Sequence, residues 1–357
     1  MKSGGQAGVA EWLVCATARM WIGVPMFFVI SGYCIAASAD SHRRNSHPPA
    51  RYFLRRFRRI YPPLWGFLAI FCLFVVAAES VRPGILSDTA NGVAQPASFS
   101  PWQWLESLTL TESWRYHLAG GQRGYVFGNL WTLCYEEQFY IVVGLLLLLC
   151  PKRFYQAALL VTVLVLFTER TSTGLPGFFI DGKWLEFAAG MGVFYAVNRA
   201  GRPARWLIAG ALTVAPLMLL ADTGQLLAFE ATIPQSYACA SAFALLLIAL
   251  HRFDFRLFNA RWTTAVTWCG TMCYSLYLVH WPIVKLIGHA CFLAGIESCA
   301  ATLMVTIPVS MAVSIAVASV FHQHVERRFL NAPLTQTGKE RRVPKLSEPH
   351  GVREMTG

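Results

Sequence analysis

Long apolar runs, broken by short basic or turn-rich segments, set the pattern of this chain. A helix that crosses a bilayer needs roughly 20 mostly apolar residues. Nine stretches meet or approach that length: about 20–39, 61–79, 129–150, 156–168, 184–198, 205–221, 234–250, 265–287 and 298–321. The fourth and fifth are short. The pattern therefore predicts an all-α, polytopic membrane helix bundle of about nine visible spanning helices. Pro62, Pro63 and Pro234 stand near predicted helix starts, where a missing N–H costs nothing. No internal repeat and no low-complexity segment is present. From about Asn331 the chain is polar and carries Pro333, Pro344 and Pro349, the composition of a disordered tail.

Composition agrees. Of 357 residues 55% are hydrophobic and 14% charged, against about 25% charged in an ordinary soluble domain. The longest polar loop, about 80–128, is too short for the usual soluble domain of about 100 residues. The net charge of +11 would raise nucleic acid as a partner in a soluble protein. Here the basic residues flank apolar spans, so lipid headgroups and topology explain them more cheaply and no nucleic-acid partner is expected. The cysteines lie almost entirely in apolar segments, without a disulfide framework or zinc spacing, and no metal site is expected.

Counting charges orients the bundle. The loops 40–60, 151–155, 199–204 and 251–264, with Arg205 at an edge, carry 15 Lys and Arg; the opposite loops carry five. By the positive-inside rule the first set is cytoplasmic. The C-terminal tail, 331–357, then lies in the cytoplasm and the protein in the inner membrane. The same count puts residues 1–19 outside. Their apolar part, Ala7–Ala18, is too short to span and is interrupted by Glu11. The expectation is that 1–19 is a remnant or replacement of a first spanning helix.

Charged groups within a membrane cost about 2.5–3.5 kcal/mol each on insertion scales and default to functional candidates. Glu136 and Glu137 occur in Asn129-Leu-Trp-Thr-Leu-Cys-Tyr-Glu-Glu-Gln-Phe-Tyr140; Glu186, Lys285 and His280 join them. Adjacent carboxylates point roughly 100° apart on a helix, so Glu136 and Glu137 serve different partners: one a cavity, the other a basic group, or both helix packing. His280, in Tyr274-Ser-Leu-Tyr-Leu-Val-His-Trp-Pro282, is either a site residue or a satisfied packing residue. Pro282 predicts a kink beside it. Lys285 is expected to snorkel. Arg55, Arg58 and Arg59, at helical spacings of three and four, either grip a phosphate-rich ligand or anchor topology. Ser31 and Gly32 permit close helix approach.

Four of these segments occur together and in order: Gly23-Val-Pro-Met-Phe-Phe-Val-Ile-Ser-Gly32, Phe53-Leu-Arg-Arg-Phe-Arg-Arg-Ile-Tyr-Pro62, Trp131-Thr-Leu-Cys-Tyr-Glu-Glu-Gln-Phe-Tyr140 and Tyr274-Ser-Leu-Tyr-Leu-Val-His-Trp-Pro282. In this the chain resembles the acyltransferase 3 family of integral membrane O-acyltransferases, over about residues 20–330. The resemblance implies a core of about ten helices and transfer of an acyl group, often acetyl, from cytoplasmic acyl-CoA to a hydroxyl of a surface or exported glycan. Acyl-CoA is then a donor substrate and no bound cofactor is implied; the other partners are the carbohydrate or lipid-linked glycan acceptor and membrane lipids. Carried over, Arg55, Arg58 and Arg59 match the basic motif that engages CoA phosphates or supports the fold. Glu136, Glu137 and His280 match the acidic and Tyr-x-x-His-Trp motifs and are the catalytic candidates. The family's first helix carries an Arg and, about three turns on, a His; this chain has no His before His42. The competing readings are an inactive truncated homologue and a polytopic transporter or flippase. The latter calls for repeats that the sequence lacks.

Overall fold

The computed structural model describes residues 19–84, 86, 96–115, 117, 127–171, 173, 177–179, 181–223, 233–254, 256, 260–296 and 298–330. These residues fold as helices and connecting turns, with no strand among them. Apart from Arg19, the expected atypical N-terminus lies outside the described residues, as does the tail from 331.

The main helices are α1 (Gly23–Arg44), α2 (Pro49–Val81), α3 (Pro101–Thr109), α4 (Leu130–Leu149), α5 (Phe154–Arg170), α6 (Lys183–Asn198), α7 (Arg202–Thr223), α8 (Ile233–Leu250), α9 (Thr264–Thr271), α10 (Cys273–Leu293) and α11 (Ile307–Phe321). Two π-helical turns, Thr302–Thr306 and His322–Glu326, flank α11. Six helices among the described residues are long and apolar enough to cross a membrane: α1, α2, α4, α8 with its continuation to Phe253, α10, and the run Thr302–Phe329. The predicted spans at 156–168 and 184–198 form helices of 17 and 16 residues, shorter than the other six. The span at 205–221 falls within α7, part of whose side chains lie outside the described residues. Many apolar side chains, among them Leu73, Val76, Leu149, Leu160 and Leu207, face outward, as a lipid solvent requires and water does not reward.

Helix α2 has 33 residues, about 50 Å of helix, more than the ~30 Å hydrocarbon core. Its arginine-rich first turns therefore extend beyond the core. Pro62 and Pro63 stand inside the helix, where each lacks the N–H that would bond four residues back. Tyr274 of α10 donates its hydroxyl to the Ile60 carbonyl at 2.8 Å, tying α10 to α2 just before the two prolines.

The core joins α1, α4 and α6. The Phe28 ring meets Trp131, Tyr135 and Phe139 edge-on, and Phe139 continues the cluster to Trp184 and Phe187. Helices α1 and α6 touch at the backbone. A Cβ on Gly32 would collide with the Phe187 carbonyl oxygen, and one on Gly190 with the Val29 carbonyl. Small residues here let two membrane helices approach closely.

The polar stretch 80–128 holds one element that periodicity did not predict. Ser100 caps α3 through a capping box with Gln103, and Pro101 stands at the first turn. The signature Ser-Pro-Trp-Gln was legible as a helix start. Trp65 and Tyr61 of α2 donate to the Leu108 and Thr109 carbonyls, fastening this small helix over the end of the bundle.

Candidate active site

Glu136 and Glu137 diverge around α4, as adjacent helical positions must. Glu136 is buried. Its Oε1 accepts from Ser31 Oγ of α1 at 2.5 Å and from the Tyr140 hydroxyl one turn on. Glu137, half-buried, accepts from the Tyr61 hydroxyl of α2 at 3.1 Å. Among the described residues neither carboxylate forms a salt bridge, so the expected basic partner is replaced by hydroxyl donors. Ser31, read from sequence only as a small packing residue, is a ligand of Glu136. Its neighbour Gly32 carries the packing.

The basic run of α2 opens into a cavity of about 270 Å³ lined by Cys34, Ser38, His42, Tyr52, Arg55, Arg56 and Arg59. Residues 52, 55, 56 and 59 share one helix face. Arg58 is displaced from the centre of that face by about 110°, is exposed, and is absent from the lining. Thus Arg55 and Arg59 line the cavity, and Arg56 joins them where Arg58 does not. Opposite them, Cys34, Ser38 and His42 are spaced at four residues along α1. The sequence reading put His42 in a loop; α1 instead continues to Arg44. His42 is 6% exposed, and its Nε2, like Arg55 Nε, is buried without a hydrogen-bond partner. The unpartnered N–H of Arg55 Nε, in a cavity lined by three arginines, makes an incomplete site for an anion. At the rim, partial burial with Arg51 and Arg55 nearby holds His47 below the usual histidine range. Arg51 donates to its ring at 2.9 Å.

This cavity is joined to the carboxylate. The Arg56 guanidinium lies 4.8 Å from the centre of the Tyr140 ring, and the Tyr140 hydroxyl reaches Glu136. Arg59 is close enough to interact electrostatically with Glu136, Tyr140 and Cys34. A cation-lined pocket and a buried carboxylate are therefore one connected site.

His280 is half-buried on α10. Its Nδ1 lies 2.7 Å from the Tyr277 carbonyl and 3.1 Å from that of Leu276. Carbonyls only accept, so Nδ1 carries a proton, and in the neutral ring the lone pair is on Nε2. Among the described residues no hydrogen bond joins His280 to Glu136 or Glu137. Tyr277, one turn before it, ties α10 to α4 instead: its hydroxyl contacts Thr132 Oγ1 at 2.8 Å and the Asn129 carbonyl. Asn129 Nδ2 returns a bond to the Tyr277 carbonyl at 2.9 Å. This reciprocal clasp fixes α10 against the start of α4. Pro282 lies inside α10, which continues through it to Leu293. The Lys285 ammonium sits over the Trp281 ring.

Three further buried carboxylates escaped the sequence reading or gained partners. Asp40, 1% exposed, takes Arg199 at 2.6 and 2.7 Å and Arg44 at 2.9 Å. These hydrogen bonds and the carboxylate's charge hold the Arg199 guanidinium above its usual range. Glu186 pairs with Lys183 at 2.6 Å. Glu326 accepts from Ser275 N and Oγ and from His322 Nδ1, tying the last helix to the Tyr274–Pro282 motif. The His322-x-x-x-Glu326 spacing of four was the available signal.

A family model described as an acyltransferase domain matches residues 6–323. A Komagataeibacter xylinus protein named as a membrane-bound transacylase, BcsY, is 25% identical over 313 residues, 81% of this chain and 74% of that protein. The peptidoglycan O-acetyltransferase OatA of Listeria monocytogenes is 23% identical over 295 residues, 74% of this chain and 45% of that protein. The match thus spans less than half the length of the Listeria protein. No solved structure matches the chain.

Proposed function

The chain belongs to the acyltransferase family whose model covers residues 6–323, and from that premise we propose that it is a membrane O-acyltransferase. It takes an acyl group, acetyl in the simplest case, from cytoplasmic acyl-CoA and passes it to a hydroxyl of a cell-surface or exported carbohydrate. The observation that carries this reading is the continuous site running from the basic cavity through Tyr140 to Glu136. It joins a cation-lined end, suited to the phosphates of a phosphorylated thioester, to a buried carboxylate that orders hydroxyls beside it. The name of one relative, a peptidoglycan O-acetyltransferase, supports a carbohydrate acceptor, and that of the other, a membrane-bound transacylase, supports acyl transfer.

In this reading the residues take the following roles. Arg55, Arg56 and Arg59 present cations to the CoA phosphates. His280 Nε2, with its lone pair fixed by the Nδ1–H bonds, takes the proton of the acceptor hydroxyl as that oxygen attacks the thioester carbonyl. The C–S bond then breaks and the CoA thiolate leaves. Glu136 holds the Ser31 and Tyr140 hydroxyls in register with the cavity, and Glu137 fixes Tyr61 of the arginine-bearing helix. In this reading the nine predicted spans, including the short α5 and α6, lie in the inner membrane with the tail in the cytoplasm.

The test is direct. Vesicles containing the folded chain are given labelled acetyl-CoA, and label is followed into exported glycan and then into its base-labile fraction. Label in an O-linked ester supports the reading. Folded protein that transfers none to any exported carbohydrate overturns it.

A further inference from the structure

A second opening in the bundle is distinct from the arginine cavity. It is a groove of about 610 Å³ between α5, α6, α7 and α8, within the size range of small-molecule sites. Its walls are nearly all apolar or small, as at Ala189, Gly192 and Ala240, while Lys152 and Tyr155 stand at one end and Glu186 at the other. From Tyr155 to Leu166, both of which line it, α5 rises about 16 Å. The groove therefore runs through about half the depth of a ~30 Å hydrocarbon core.

Its two ends differ in charge. Lys152 and Arg153 are exposed on the turn before α5. Arg205 is held beside the same mouth by its bond to the Ala196 carbonyl at 3.0 Å, next to the lining residue Tyr195. Asp40 already neutralises Arg199, and Arg43 is bonded to the Pro151 carbonyl and lies over the Tyr155 ring; Lys152, Arg153 and Arg205 stand with it at this mouth, and no salt bridge is found for these four among the described residues. At the far end the Glu186–Lys183 pair closes the groove with a fully buried carboxylate. A basic collar, hydrocarbon-like walls and a polar stop match an amphiphile with an anionic head and one apolar chain.

We propose that this groove is a binding site for an anionic phospholipid. One acyl chain lies between α5, α6, α7 and α8, and the phosphate meets Lys152 and its basic neighbours. The site rests on the chain's place in the bilayer and not on the acyl-transfer reading. Acetyl transfer measured in parallel separates the failure of one from the failure of the other.

The full-length protein is purified in detergent, mixed with phosphatidylglycerol or phosphatidylcholine of the same chains, and examined by native mass spectrometry. One phosphatidylglycerol is expected to stay bound under conditions that strip phosphatidylcholine. Lys152→Glu should weaken that retention about fivefold or more, the worth of one basic residue at an anionic lipid surface. Gly192→Leu should abolish it: Gly192 lines the groove, and a Cβ there meets only Ile208 Cγ2 at 3.7 Å, an ordinary contact, so the larger side chain takes up groove volume. Gly210→Leu, where nothing lies within 4 Å and which does not line the groove, should retain lipid normally. Equal retention of both lipids by the wild type overturns the proposal. So does undiminished phosphatidylglycerol binding by folded Lys152→Glu and Gly192→Leu proteins.

Discussion

Ser31 Oγ donates to Glu136 Oε1 at 2.5 Å, bridging α1 and α4 across 105 positions of sequence. Both residues are buried, so water cannot replace the bond. A hydrogen bond to a charged group contributes about 1.5–3 kcal/mol. A double-mutant cycle with Ser31→Ala and Glu136→Gln should show a coupling of about that size in unfolding measured in detergent. Simple additivity of the two substitutions would show that the pair does not act together.

The backbone contact of α1 and α6 gives a second expectation. Gly32→Val or Gly190→Leu places carbons where carbonyl oxygens now sit. Overpacking of this kind costs about 1–3 kcal/mol, and more where backbone must move. Both variants should elute as aggregate, or unfold at lower temperature, in size-exclusion and thermal assays. Gly23→Ala, with nothing within 4 Å, should behave as the wild type. Normal stability in Gly190→Leu would mean that the two helices do not meet at this crossing.

What the sequence revealed and what it hid divide along physical lines. Apolar periodicity found the helices, because a bilayer demands long uninterrupted runs whatever the tertiary partners. It also separated Glu136 from Glu137, because helical geometry is local. It did not find that both accept from hydroxyls, since Ser31 and Tyr61 come from distant segments and nothing local marks a partner. Taking Arg55, Arg58 and Arg59 as one face used adjacent spacings alone. The cavity selects the 52, 55, 56, 59 face instead because α1 packs on that side. His42 was hidden by placing the end of α1 five residues early, since the Asp40–Arg199 pair lets the helix carry polar residues through its last turn.

A third prediction concerns His280. If Nε2 takes the proton of the acceptor, His280→Ala should lower kcat for acyl transfer by about 10²–10⁴. The KM for acyl-CoA should change little, because the arginine cavity is untouched. Thr132→Val, which removes one partner of the Tyr277 clasp, should lower kcat more modestly while leaving the imidazole in place. Transfer by folded His280→Ala protein at the wild-type rate would remove His280 from the mechanism.

The arginines give the sharpest ordering, because the helix face decides it before any ligand is seen. Arg56 and Arg59 line the cavity together with the unpartnered Nε2 of His42; Arg58 points away from it. Replacing Arg56 or Arg59 with Ala should raise the KM for acyl-CoA about tenfold, the loss of one charge-assisted contact of about 1.5 kcal/mol. Arg58→Ala should shift it by less than about twofold, as expected for an exposed charge. Lysine at position 56 should rescue only part of the loss, because it keeps the charge without the planar group that stacks on Tyr140. The comparison uses free CoA as a competitive ligand as well as turnover, so binding is read even if chemistry is slow. Equal effects at 56, 58 and 59 would mean that the run acts as a diffuse basic surface rather than as one face of a defined cavity.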